Sequence, residues 1–266
     1  MPISRTLCLL AADLSVGLMV LLALVRRDEF GRTFDRLIAS LAAGLALVSV
    51  WTDPMRGSWA SILEAAGAHW TALLLVAVFA LGIVAFGRGR VFWLAGASLA
   101  GVVALWFDSV AYPGAVVLEG GEAFYPIARI TAAGVLGAGW VTMVGGHWYL
   151  VNPRLPIDPL LRLSRAALIA VFVRGAVAVF AVGWWWSHFD PAVADWVTVL
   201  DGISPFVLGR FLMGILLPVG AMFLVVSTVR IRSTQSATGI LYIVFLFLLA
   251  GELMASYVRI RTGIPL

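Results

Sequence analysis

The chain has 266 residues, of which 62% are hydrophobic and only 12% charged, with a mean hydropathy of +1.03. Apolar stretches of about 18 to 24 residues recur along its whole length, each able to cross a hydrocarbon core of about 30 Å, which excludes a soluble globular enzyme and predicts an all-α polytopic protein that meets the lipid bilayer as one transmembrane domain over 1–266. The formal charge of +4 arises from 18 basic residues, every one an arginine, against 14 acidic ones; it is a matter of distribution and points to no nucleic acid, while the single Cys8 excludes an internal disulfide and a Cys-rich metal or iron–sulfur site.

Eight spans are predicted, at about 6–25, 34–51, 69–87, 91–110, 127–150, 164–187, 205–228 and 236–258. The first resembles a signal peptide in position, but Asp13 interrupts its apolar centre and no small-x-small site precedes the arginines, so it is read as a helix of the mature protein. Small residues recur inside the spans, as in "AAGVLGAGW" and "GRFLMGILLPVG", and predict close approach of neighbouring helix backbones; Pro218 is expected to kink the seventh span. No repeat of 20–50 residues stands out.

Arginine counts set the expected orientation. The connections after the first, third, fifth and seventh spans hold Arg26, Arg27, Arg32, Arg36, Arg88, Arg90, Arg154, Arg162, Arg165, Arg230 and Arg232, whereas the alternate connections hold only Arg56. The positive-inside rule makes the first set cytoplasmic, which with an even number of spans leaves both termini outside. The outer connections are longer. In "WTDPMRGSWASILEAAGAHW", Trp51, Met55, Trp59, Ile62 and Ala66 recur at helical spacing and predict an amphipathic helix at about 54–66. In "FDPAVADWVTVLDG", Asp190 and Pro191 form an N-cap and first-turn signal for a second, at about 191–200. These helices are either plain lids or a docking surface, for which Trp51, Trp59 and Trp196 are the candidate partner-facing anchors.

Within the spans the ionisable residues are few: Asp13, Asp108, Arg129, Arg174, Arg210 and Glu252. Arg174, in "AVFVRGAVAV", lies about 15 Å inside its span, near the midplane, and the others lie within roughly 10 Å of the outer surface. An arginine at that depth cannot shed its proton and requires an anionic or carbonyl partner. Glu252 and Arg210, at similar depth on consecutive antiparallel helices, are the expected pair, and Arg174 reaches towards Glu252 or Asp13. Two readings of these charges stand: acids and bases that neutralise one another to fix helix register, favoured for Arg129 and Asp108 near helix ends, or a functional polar pocket, favoured for Arg174, Arg210, Glu252 and Asp13. His69 and His188 border the outer interface and His147 the inner one, which suits belt residues better than haem ligands.

With eight spans, both ends outside, "DPMRGSW" after the second, "MVGGHWYLV" on the fifth and above all "FLFLLAGELMASYVRIRTG" on the eighth, the chain resembles the membrane-anchor subunit of dimethyl sulfoxide reductase and its NrfD-like relatives. That resemblance implies a multi-pass subunit of a bacterial inner membrane that binds quinol or quinone near the outer face, carries no cofactor of its own and passes electrons to an iron–sulfur subunit docked there. On this reading Glu252 accepts a proton from the quinol. Arg210 or Arg174 holds a ring oxygen, and Asp13, Asp108 and Arg129 line the route outwards. Ser49, Trp51 and Asp53 stand where that family often carries a histidine. Two other classes fit the same residues: a structural or assembly subunit without quinone chemistry, and a small-solute or proton-coupled transporter, although the two halves show no visible relation in sequence.

Overall fold

The computed structural model describes residues 2–53, 68–86, 89–111, 123–188 and 204–266, and every regular element among them is helical. In chain order these are α1 (Pro2–Leu22), α2 (Arg27–Thr52), α3 (Ala68–Phe86), α4 (Arg90–Ala111), α5 (Phe124–Val151), α6 (Asp158–His188), α7 (Ser204–Arg230) and α8 (Thr234–Thr262). Seven are long and apolar enough to cross a membrane; the apolar run of α3, Trp70–Ala85, is shorter. The amphipathic helices expected at 54–66 and 191–200, with Trp59 and Trp196, lie outside the described residues.

Local chemistry explains several boundaries. Between α1 and the body of α2 the chain turns at Gly31, whose φ of 81° is accessible to glycine at little cost, and the Arg26 N–H donates to Glu29 Oε2 at 3.2 Å across the preceding turn. Proline 218 does bring a departure from regular helix: α7 contains a π-helical turn at Leu212–Leu216, in which the Leu217 N–H reaches back to the Leu212 carbonyl. A proline lacks the N–H that would bond the carbonyl four residues earlier and its ring crowds that carbonyl, so a widened turn just before it relieves both. Helix α8 stops at Gly263, left-handed at φ 79°, whose N–H donates to the Arg259 carbonyl at 2.8 Å. Beyond it Ile264 and Leu266 turn back into the core against Trp185, Ala255 and Val258.

The helices run up and down in two groups. In the first, α1 packs on α2 and α4, α2 on α3, and α3 on α4; in the second, α5 packs on α6 and α8, α6 on α7, and α7 on α8. The seam between the groups is α1 against α5 and α8, with α4 also touching α5. Accordingly α1 and α5 are the most enclosed helices. Their backbones touch as the glycine-rich pattern predicts: a Cβ added to Gly17 would stand 1.9 Å from the Ala133 carbonyl oxygen, and one on Gly137 would stand 2.2 Å from the Gly17 carbonyl carbon. Large apolar side chains on the outer faces, such as Phe92, Leu99, Phe180, Leu216 and Leu246, are exposed, as a lipid-facing surface requires.

The two ends of the bundle differ in charge. At the arginine-rich end, Arg90 donates to both oxygens of Asp35 at 2.9 and 3.1 Å and to the Leu22 and Val25 carbonyls at 2.9 and 2.7 Å. It thereby caps the final turn of α1, whose last carbonyls have no helical partner. Arg162 pairs there with Glu29, and Phe30, Phe34, Trp148 and Tyr149 form an aromatic cluster. Both Pro2 and Thr262 lie at the opposite end, to which the buried ion pairs other than that of Asp35 belong.

Candidate functional site

Each helix of the second group and three of the first contribute ionisable side chains to one buried network. Beginning at the end where α1 starts, Arg5 on α1 bridges Asp53, at the end of α2, at 2.5 Å and Asp108 on α4. Asp53 also accepts from Trp70 Nε1 on α3 at 2.9 Å. Asp108 passes the chain of contacts to Arg129 on α5 at 2.7 Å, and Arg129 reaches Asp13 on α1, again at 2.7 Å. Arg259 on α8 lies buried among Arg129, Asp108 and Asp13. A small cavity of about 10 Å³, the size of one water, is enclosed by Arg5, Cys8, Ser49, Asp53, Asp108 and Arg129 together with apolar neighbours.

The second centre is deeper. Glu252 on α8 receives Arg174 of α6 as a two-pronged clamp, Nε to Oε1 and Nη2 to Oε2, both at 3.0 Å. Arg210 of α7 brings its Nη2 to 2.8 Å from Glu252 Oε1. Arg174 Nη2 also donates to the main-chain oxygen of Leu266, delivered by the turn after α8. Glycines make this approach possible. A Cβ on Gly214 would stand 2.2 Å from Arg210 Nη1, and one on Gly251 would stand 2.2 Å from the Gly214 Cα, so α7 and α8 meet backbone to backbone with the arginine folded over the notch. The π-helical turn of α7 spans Gly214. All three ionic side chains are enclosed: Arg210 is 0%, Glu252 1% and Arg174 2% exposed. The two centres are joined by α1 and α8, which carry Asp13 and Glu252 and pack against each other.

The structure therefore joins Arg210 with Glu252, gives Arg174 to Glu252 rather than to Asp13, and groups Asp13, Asp108 and Arg129 into one chain of ion pairs. Depths shift from the sequence expectation because α1 begins at Pro2 and α8 continues to Thr262. Measured along their helices, Asp13 lies about 16 Å and Glu252 about 15 Å from that end, rather than within 10 Å, whereas Arg129 and Asp108 remain about 8 and 5 Å from it. Trp51 is largely exposed at the same end. His188 stacks on Trp184 at 3.9 Å there, and His147 Nδ1 sits 3.2 Å from Tyr242 Oη towards the arginine-rich end.

Arg5, Asp53, Trp70 and Arg259 were not anticipated as members of the network. Two spacings carry a signal for them: Arg5 and Asp13 are eight residues apart, and Glu252 and Arg259 seven, so each pair shares one face of its helix two turns apart.

An open volume at this end is distinct from the ion pairs. A groove of about 330 Å³ lies between α1, α7 and α8, lined by Ile3, Thr6, Leu7, Phe206, Leu253, Met254 and Tyr257, and is almost wholly apolar. At roughly 100° per residue, Leu253, Met254 and Tyr257 point about 100–200° away from Glu252, so α8 itself stands between the groove and the Glu252 carboxylate. Neither Arg174, Arg210 nor Glu252 lines it. A scan against protein-family models matches none, and no curated protein matches the sequence.

Proposed function

We propose that the chain is an eight-span subunit of a respiratory redox complex in a bacterial inner membrane, with both termini outside. In this reading it takes quinol from the outer half of the bilayer and delivers its electrons to an iron–sulfur partner docked on the outer face, with exposed Trp51 among the partner-facing residues. The observation that carries the reading is the apolar groove between α1, α7 and α8, which shares α8 with the buried carboxylate network. Ligand sites are concave and mostly apolar with a few polar groups, and here Thr6 and Tyr257 supply hydroxyls for ring oxygens. Oxidation of a quinol gives up two electrons, to the partner's iron–sulfur centre, and two protons. Glu252, Asp13 and Asp108 offer successive carboxylates from mid-bundle to the outer end, each paired with an arginine.

A structural subunit is the second reading, and one observation favours it. Both oxygens of Glu252 are already occupied by guanidinium groups, which suits a charge that fixes helix register better than a base awaiting a proton. The test is made on the complex that co-purifies with the full chain in mild detergent. Leu253→Trp fills the groove and Glu252→Gln removes the acid while keeping its shape. The quinol reading expects an iron–sulfur partner in the preparation, loss of quinone-site inhibitor binding with Leu253→Trp, and slowed quinol oxidation with both variants. Unmodified rates and inhibitor binding in both would establish the structural reading.

The orientation is tested separately. A cysteine at Arg232, in the turn between α7 and α8, is expected to resist a membrane-impermeant maleimide applied outside intact cells and to react once the cells are opened, because basic connections stay cytoplasmic. Full labelling from outside would invert the topology.

A further inference from the structure

At the arginine-rich end, one pair of helices carries an exposed basic patch. Helices α6 and α7 pack side by side in opposite directions, and Phe172 of the first meets Phe223 of the second edge to face, with ring centroids 6.0 Å apart. Both rings are about half exposed, on the outer surface of the bundle. Seven residues from each ring, towards the arginine-rich end, stand Arg165 and Arg230. Seven residues fall about 20° short of two full turns, so each arginine shares the face of its phenylalanine and lies about 10 Å further along. The two arginines therefore stand at one level on neighbouring helices, and both are exposed. Among the described residues neither makes an ion pair, and the carboxylates of Glu29 and Asp35 at this end are committed to Arg162 and Arg90.

The turn after α7 adds a third guanidinium, at a position that strains the backbone. The Ser233 N–H donates to the Thr228 carbonyl at 2.9 Å and the Arg232 N–H to the Val229 carbonyl at 3.0 Å, the paired bonds that close a helix through a left-handed residue. That residue is Arg232, at φ 60°, where glycine is the usual occupant and a side chain is strained. At the end of α8 the left-handed residue is Gly263. Arg232 is exposed and stands two residues from Arg230. Below the arginines, Ile169, Phe172, Phe223 and Leu216 form an exposed apolar surface, and a Cβ on Gly220 would meet open space.

We infer that this patch binds one anionic phospholipid, its phosphate held between Arg165 and Arg230 with Arg232 beside them and an acyl chain laid along the Phe172–Phe223 seam. Phe172 is near the middle of α6, so Arg165 lies inside the half-thickness of a hydrocarbon core, about 15 Å, and its long stem carries the guanidinium up to the phosphate level. Basic surfaces between transmembrane helices recognise acidic headgroups in this way, and a guanidinium offers a phosphate two parallel N–H bonds. A zwitterionic lipid presents the same phosphate together with an ammonium that the arginines repel. The apolar seam selects a lipid over a free phosphate. The site is at the other end of the bundle from the groove between α1, α7 and α8 and is independent of the quinol reading.

Full-length protein in mild detergent, stripped of co-purified lipid, is titrated with dioleoyl phosphatidylglycerol, dioleoyl phosphatidylcholine or glycerol 3-phosphate. Native mass spectrometry counts the retained ligand, and tryptophan fluorescence follows the unfolding midpoint. Wild-type protein is expected to retain one phosphatidylglycerol at least about tenfold more tightly than phosphatidylcholine, and glycerol 3-phosphate is expected not to displace it. The double change Arg165→Gln, Arg230→Gln is expected to abolish the preference. Arg32→Gln with Arg36→Gln removes the same charge from exposed positions of α2 at the same end and is expected to keep it. Arg232→Gly relieves the strained turn, so it is expected to raise the lipid-free midpoint while weakening phosphatidylglycerol binding, which separates the site from the stability of the fold. Wild-type protein without the preference overturns the inference, as does equal loss in the two double variants, an Arg165→Gln, Arg230→Gln or Arg232→Gly protein that binds as wild type does, or displacement by glycerol 3-phosphate.

Discussion

Replacing Glu252 by leucine is expected to destabilise the protein by about 3–5 kcal/mol, the cost of leaving a buried partner charge without its counter-ion. Two guanidinium groups depend on this carboxylate, one through a two-pronged clamp at 3.0 Å and one through a 2.8 Å contact, and none of the three side chains is more than 2% exposed. The triple change Arg174→Met, Arg210→Met, Glu252→Leu removes the three side-chain charges at similar volume and is expected to recover part of that loss, because apolar packing commonly replaces a buried ionic group without penalty while the Leu266 oxygen loses its Arg174 donor. Unfolding midpoints in detergent, read from the 11 tryptophans, measure both. A Glu252→Leu protein within about 0.5 kcal/mol of wild type would mean that the centre is hydrated or otherwise screened.

Gly17→Val is expected to separate the two helix groups. Even a methyl group at Gly17 would stand 1.9 Å from the Ala133 carbonyl oxygen, and the obstacle is backbone, which cannot rotate aside as a side chain can. Overpacking in a close-packed core costs about 1–3 kcal/mol, and this contact is worse than most because two helices must move apart. The effect extends to the ion pairs. Gly17 is one turn from Asp13 and Ala133 one turn from Arg129, so opening the α1–α5 contact stretches the 2.7 Å pair between them. Gly44→Ala and Gly220→Ala are the controls. A Cβ at either meets open space, and replacing a helical glycine by alanine adds up to about 1 kcal/mol of helix propensity. Thermal midpoints of the three variants decide the matter: a Gly17→Val protein as stable as the two controls would show that the seam is loose.

The membrane class, the segregation of the arginines in the connections to one end and the small-residue contacts at Gly137 and Gly214 were legible in the sequence. Each is a property of a single segment: hydropathy summed over a window, charge counted in a connection, or the missing Cβ that decides how near a neighbour can come. That α7 departs from regular helix near Pro218 was legible for the same reason, although the form it takes is a π-helical turn rather than the kink expected. The sequence also restricted the buried charges to a handful, because ionisable groups inside apolar spans are rare enough to stand out.

Which charges meet was decided by tertiary structure. Glu252 faces Arg174 and Arg210, and not the groove, because of the rotation of α8 about its axis, where one residue changes direction by roughly 100°. Arg5, Asp53 and Arg259 joined the network because α1, α2, α4, α5 and α8 bring their ends to one place, an outcome of helix order that hydropathy does not record. In water these residues would satisfy themselves with solvent. Inside a bilayer each polar group finds its partner in another helix, so the sequence determined that partners had to exist and only the packing of the helices determined which they were.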